Sequence, residues 1–480
     1  MYHISDLKKF TRCPRFYFLD MDSETPFNPY LRTDESFIDL LKIKLGIEDC
    51  FTGKVGDSLD AFFENKDKYE WFVKTRFEIG ELRIKVPVLH KTKDGYDVYF
   101  TYYGTCIKEL DFFSYRITIE VLEKLQVLVN NVYVVYVNPD YVFHTKIDPD
   151  KLFIVTDTYR GGKIIDMLLD SVVDYNDIIK RLESSSIDNL KPNKTRMCHF
   201  RGICPYYDKC FKEEIKTPDD SILTLVTSAY KNKMYEEGIL YLKDADLNRI
   251  EGNRVQYAQI RASKNGGLFV DKCNLNQWLN KLNNRPISFV DFEWDRYLIP
   301  SYEGMKPLDV IPFEYALYVL KEDGVLEHNT FISSGDCRKT FVQKLIDDLP
   351  KEGAILAYNA TGAEIIRLKE LAELFPEYKE ELEKIIDRFV DLAVPFMEGM
   401  VYDTKMAGNF SLKKLVSVVS DKSYKSLAID DGMEAVYRWR DIDKGEDVDQ
   451  EKILDNLEKY CSLDAYGLYL VYIWLVNIAK

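Results

Sequence analysis

The chain has 480 residues, 30% of them charged, and a formal net charge of −15. That acidic balance argues against a long-range pull on nucleic acid, while leaving room for a local basic groove. Hydrophobic content of 46% suffices for packed cores, and the length predicts two or three domains. Nine cysteines are too few and too scattered for a secreted disulfide framework, and five histidines argue against chemistry built on several of them. The 33 tyrosines could stack bases, but most read as core or subunit-surface residues. The opening "MYHISDLKKF" is mixed rather than basic and then apolar, so no secretory leader is expected. The longest late apolar run, "YGLYLVYIWLVNIA", is fourteen residues, which suits a buried helix better than a membrane span. A cytoplasmic protein without a membrane partner is expected.

Residues 1–215 open with "SDLKKFTRCPRFYFLD", which holds Cys13, and close with "RMCHFRGICPYYDKC". The latter holds Cys198, Cys204 and Cys210, with five residues between neighbours. Clustered thiols among proline and glycine turns suit a metal. Cys50, Cys106, Cys273, Cys337 and Cys461 have no such company and read as small apolar residues. Between the two cysteine stretches lies "LRIKVPVLHKTKDGYDVYFTYYGT". In residues 216–283, apolar positions at helical spacing are broken by Gly238, as in a small helical module.

Residues 284–480 alternate strands and helices. "PISFVDFEW", "FEYALYVL" and "LEHNTFIS" read as strands, with a turn at Asp323–Gly324 between the last two. "RKTFVQKLIDDL" is amphipathic, "GAILAYN" a strand, "GAEIIRLKELAELF" a helix, and a long helix follows Asp449. This alternation predicts an α/β domain around a mixed sheet. No internal repeat or low-complexity tract is present.

Within "FVDFEW", Asp291 and Glu293 stand two apart in an apolar strand, so both carboxylates face the same way. An edge strand with solvated acids would explain them, and so would a divalent cation between them. Asn359 and Glu364 stand where a strand gives way to a helix, a place where α/β sheets commonly bind ligands. Tyr460 and Asp464 lie four apart, so they share one face of a helix with Leu468 on an apolar stripe. An aspartate on such a stripe must be paired or bind a metal.

In the order D-x-E, N-x4-E, Y-x3-D, these residues resemble the three motifs of the DEDD exonuclease superfamily, tyrosine subtype. The resemblance implies an RNase H-like fold and removal of nucleotides from 3′ ends, with DNA or RNA as the partner. It implies two Mg²⁺ or Mn²⁺ ions about 4 Å apart for an in-line phosphoryl displacement. Asp291 would bridge the ions, Glu293, Glu364 and Asp464 would complete the cage, and Tyr460 would orient the attacking water. The superfamily usually places its second acid four residues after the asparagine. Here Ala363 stands at that place, and Glu364 follows one residue on. Asp391 and Asp403 are the fallback ligands, each read first as a cap or a solvated loop acid.

The N-terminal start and the late cysteine triplet resemble the iron–sulfur RecB-like nucleases of the PD-(D/E)XK type, including CRISPR-associated and AddB-type members. That resemblance implies a [4Fe–4S] cluster on Cys13, Cys198, Cys204 and Cys210, with zinc as the alternative. It also implies a nuclease hairpin in "LRIKVPVLHKTKDGYDVYFTYYGT", but Pro87 stands where its aspartate belongs, and Phe100 and Tyr102 where its glutamate and lysine belong. Gln126 matches a following Q-x3-Y element whose tyrosine is Asn130 here. A retained fold with a degenerate nuclease site is expected. Lys8, Lys9, Arg12 and Arg15 are candidate phosphate contacts or plain surface residues.

The whole order resembles one bacterial family, domain of unknown function 2779. The matching stretches are "CPRFYFLD", "MYEEGILYLKDAD", "FVDFEW", "IPFEYALYV", "YNATGAEIIRLKEL", "SLKKLVSVVS" and "YCSLDAYGLYLVY". The expected function is a metal-dependent 3′–5′ exonuclease in nucleic-acid repair, processing or defence. The alternatives are a catalytically inactive nucleic-acid-binding scaffold and a structural iron–sulfur protein with solvated acids.

Overall fold

The computed structural model describes residues 1–21, 34–199, 203–250, 252–283, 286–422, 424, 427–429, 432–446 and 448–480. The fold is mixed α/β in two units. One comprises Met1–Glu214 with Tyr297–Asp309, the other Ile215–Arg296 with Val310–Lys480.

The first unit is built on a seven-stranded sheet: β1 (Tyr2–His3), β2 (Phe51–Thr52), β3 (Trp71–Ile79), β4 (Leu82–Lys91), β5 (Tyr96–Thr101), β6 (Val129–Val137) and β7 (Phe153–Thr156). The order is β2-β3-β4-β5-β6-β7, with β1 beside β4. A small hairpin of β8 (Thr158–Tyr159) and β9 (Gly162–Lys163) follows. The stretch expected to form a hairpin pairs as β4 and β5, with Val88 opposite Tyr99. Pro87 has no N–H to give to β3, and pairing skips from Val73–Val88 to Thr75–Val86, with Lys74 at φ 52°. Phe100 is buried and stacks on Tyr115 at 4.1 Å. One core packs the helix Phe112–Lys124 on the sheet through Tyr115, Ile119 and Leu122. A second core joins Phe37, Leu41, Val135 and Val137 to Leu298 and Ile299 of the late segment.

In the second unit, β10 (Leu268–Val270) pairs with β16 (Val401–Asp403). The main sheet contains β11 (Ile287–Arg296), β12 (Val310–Leu320), β13 (Leu326–Ile332), β14 (Ala354–Ala357) and β15 (Phe389–Asp391), in the order β13-β12-β11-β14-β15. β12 runs antiparallel to β11 and β13, whereas β14 runs parallel to β11 and β15. Residues 216–283, expected as a module of their own, share this unit. The Gln259 amide donates to the Thr224 carbonyl at 3.0 Å and to the Tyr402 hydroxyl at 3.2 Å. The boundary expected at residue 284 lies outside the described residues.

Alternation along β11 sends Val290 and Phe292 to one face, where they meet Tyr315, Phe341, Leu345 and Leu368. The opposite face carries Phe289, Asp291, Glu293 and Asp295. The C-terminal helix, Gln450–Ala479, covers it. Asp449 caps that helix by accepting from the Lys452 N–H at 3.2 Å. Among the described residues this is the helix long and apolar enough to cross a membrane. Its buried stripe, Leu457, Tyr460, Cys461, Asp464, Leu468 and Val471, has helical spacing. Cys461 and Ala465 pack on Ala316, and Tyr472 lies 5.6 Å from Phe289. Gly467 allows a close approach by the helix Leu412–Val419, since a Cβ there would sit 2.7 Å from a Val416 methyl.

Candidate metal centre

Three carboxylates converge where the C-terminal helix crosses β11. Asp291, Glu293 and Asp464 each offer a ligand oxygen, and these lie within 4.8 Å of one another. Strand periodicity accounts for the first two, and the buried helix stripe for the third. Asp291 and Glu293 are half-buried, whereas Asp464 is 6% exposed. Enclosure by protein, then the charges of Asp464, Glu293, Glu364 and Glu314, push the Asp291 pKa far up. Such an array is unfavourable without protons or a cation. Oxygen donors at this spacing suit a hard divalent ion.

Tyr460 is buried in the same place, close enough to Asp464 for the two to act on each other electrostatically. Burial, then the charges of Asp464, Glu293 and Asp291, raise the phenol's pKa, so the hydroxyl keeps its proton. Gly432, the first residue of the helix Gly432–Asp443, lies against both Glu293 and Tyr460. The Lys413 ammonium lies 4.8 Å from the centre of the Tyr460 ring, and its charge pulls the Asp464 pKa down against a larger burial effect.

Glu364 is the first residue of the helix Glu364–Leu374. Asn359, at φ 57°, turns the chain out of β14, and the Ile365 N–H reaches back five residues to the Ala360 carbonyl at 3.0 Å. The first turn leading into Glu364 is therefore wide. The side chain is 2% exposed, one carboxylate oxygen has no partner, and burial pushes the pKa up to about 8. It acts electrostatically on Asp291 but stands outside the converging trio. Asp391 accepts from the N–H groups of Asn359 and Ala393, both at 2.9 Å, and Asp403 from Lys405 N–H at 2.9 Å. Both serve the backbone as caps.

Two residues of the site escaped sequence reasoning. Glu314 stands directly opposite Glu293 in the ladder, fully buried, with neither oxygen bonded. Burial, then the charges of Glu293 and Glu458, push its pKa well up. A lone glutamate in the apolar run "IPFEYALYV" was the available signal. Tyr424 donates its hydroxyl to Asp464 Oδ1 at 2.7 Å. No local pattern marks it. Beside the trio, Asp295 is buried in a two-pronged pair with Arg440 of the helix Gly432–Asp443. The β11–β12 register slips after Glu293, where Pro312 has no N–H to give.

In the first unit, the half-buried Cys13, Cys198, Cys204 and Cys210 are electrostatic neighbours. Cys13 lies between the helices Ile4–Arg12 and Pro14–Met21, and the Cys204 N–H donates to the Cys198 carbonyl at 2.9 Å. Arg15, 6% exposed, directs its Nε toward Cys210 Sγ at 3.5 Å and also pairs with Glu214. Burial raises the Cys204 and Cys210 pKa values, opposed by Arg12 and Arg15 respectively. The donors suit a thiolate-held group, although the four sulfurs do not close to the spacing of the acid trio. Lys8 pairs with Asp111 at 3.1 Å and Lys9 with Asp20 at 2.5 Å, so these candidate phosphate contacts are engaged within the unit.

No curated protein and no solved structure matches the chain. Residues 288–411, which run from the strand of Asp291 and Glu293 past Glu364, match the family described as Domain of unknown function (DUF2779).

Proposed function

We propose that this protein is a divalent-metal-dependent 3′–5′ exonuclease acting on DNA or RNA. The observation that carries the reading is the convergence of Asp291, Glu293 and Asp464 beside Tyr460. The mixed sheet with β11 at its centre supports the RNase H-like part of the reading. Mg²⁺ or Mn²⁺ ions bound there would supply an activated water and stabilise charge on the phosphate. Asp291, Glu293 and Asp464 would hold them, with the buried Glu364 as the fourth acid. Tyr460 keeps its proton and therefore acts as a hydrogen-bond donor that orients the attacking water, not as a base. Lys413 offers positive charge to a phosphodiester that otherwise meets carboxylates. The four cysteines of the first unit are proposed to hold a [4Fe–4S] cluster, with zinc as the alternative.

A second reading, a catalytically inactive nucleic-acid-binding protein, draws on one observation: Glu364 stands outside the converging trio. The test is incubation of the full-length protein with end-labelled single-stranded DNA and RNA plus Mn²⁺, beside an Asp291→Ala, Asp464→Ala double mutant. Shortening from the 3′ end by the wild type alone is expected. Binding without cutting by the wild type would favour the second reading. Residual metal-dependent cutting by the double mutant would move the active site to the first unit.

A further inference from the structure

We propose that Tyr424 is a positioning residue that fixes the orientation of the Asp464 carboxylate toward the cation. The proposal rests on the exonuclease reading of the site. Asp464 sits on a buried helix stripe between Cys461 and Leu468, where a carboxylate out of water needs hydrogen-bond donors. Tyr424 supplies one of them, 2.7 Å from Oδ1, from a position forty residues earlier in the chain. The bond is buried, since Tyr424 is only 9% exposed.

A carboxylate free to turn about its Cβ–Cγ bond can present either oxygen, or both, to a metal. A donor fixed on Oδ1 removes that freedom and leaves the second oxygen to the ion. Tyr424 is itself held in place. Its ring meets the Tyr460 ring edge-on at 6.4 Å. The Lys413 ammonium lies 5.2 Å from the centre of the Tyr424 ring and 4.8 Å from that of Tyr460. A phenol carries its proton at neutral pH, so Tyr424 is the donor in this bond. Partners that orient a metal ligand in this way typically contribute 10- to 100-fold in metal affinity or activity.

The test is Tyr424→Phe in the full-length protein, which removes one hydroxyl and keeps the ring. Mn²⁺ binding to metal-free protein is measured by isothermal titration calorimetry. We expect affinity to fall about tenfold. In an Asp464→Asn background, adding Tyr424→Phe is expected to produce no further loss, because the two groups act as one unit. Wild-type affinity in Tyr424→Phe would overturn the proposal and leave the exonuclease reading standing. An additional loss in the Asp464→Asn background would also overturn it, by showing that the phenol acts through packing rather than through Asp464. A wild-type protein that takes up no Mn²⁺ would overturn both readings together.

Discussion

Asp291→Asn removes one charge from the trio while preserving its shape, so it separates the cost of the acids from their use. Two unit charges 4.8 Å apart repel by about 3.5 kcal/mol at an effective dielectric constant of about 20. Asp291 faces two such neighbours, and the metal-free site relieves part of the repulsion by retaining protons, in line with the raised pKa of Asp291. A net gain of about 2 kcal/mol is therefore expected from the neutral amide in metal-free protein, or about 4–8 °C in thermal midpoint for a unit of this size. In the wild type, Mn²⁺ at about 100 times its dissociation constant should stabilise by about 2.7 kcal/mol, and Asp291→Asn should lose that response along with nuclease activity. Scanning calorimetry with EDTA and with Mn²⁺ measures both effects. A lower midpoint in EDTA would mean that the carboxylate is satisfied by the protein itself. An undiminished Mn²⁺ response would remove Asp291 from the metal site.

Glu364→Gln should cost most of the nuclease activity in end-labelled substrate assays, whereas Asp391→Asn should cost little, because Asp391 is already bound to two backbone N–H groups; the reverse ranking would make Asp391 the fourth ligand. Arg440→Met leaves Asp295 buried without its partner and should destabilise the second unit by about 3–5 kcal/mol in urea unfolding. Protein purified without oxygen should be brown, with iron and sulfide near four each per chain by chemical analysis. Colourless protein with one zinc would reject the cluster but keep the four thiolates as ligands.

How much of the site could be read in the sequence followed the range of the interaction. Asp291 and Glu293 were legible because strand periodicity places i and i+2 on one face, and Tyr460 and Asp464 because a helix does the same for i and i+4. Glu364 was legible only as an acid at a strand-to-helix junction, since its placement depends on the wide turn after Asn359. Glu314 required the antiparallel register of β11 and β12, including a slip at Pro312 that no local pattern announces. Tyr424 reaches Asp464 through tertiary packing, so nothing in its neighbourhood marked it. The alternation of strands and helices after residue 284 indicated a mixed sheet. The assignment of residues 297–309 to the first unit was not legible, because that short segment carries its information in what Leu298 and Ile299 touch.

That segment sets an order on synthesis. Leu298 and Ile299 complete a core begun by Phe37 and Leu41, and the Phe143 N–H donates to the Met305 carbonyl at 2.8 Å. On a ribosome, that core is therefore complete only once residues up to Asp309 are made, and by then β11 with its two acids has already been made. Neither unit is a continuous stretch of chain. Cutting at residue 215 strands a piece of the first unit on the second, and cutting at 284 also removes β10, the partner of β16. The protein is thus poorly suited to dissection by truncation.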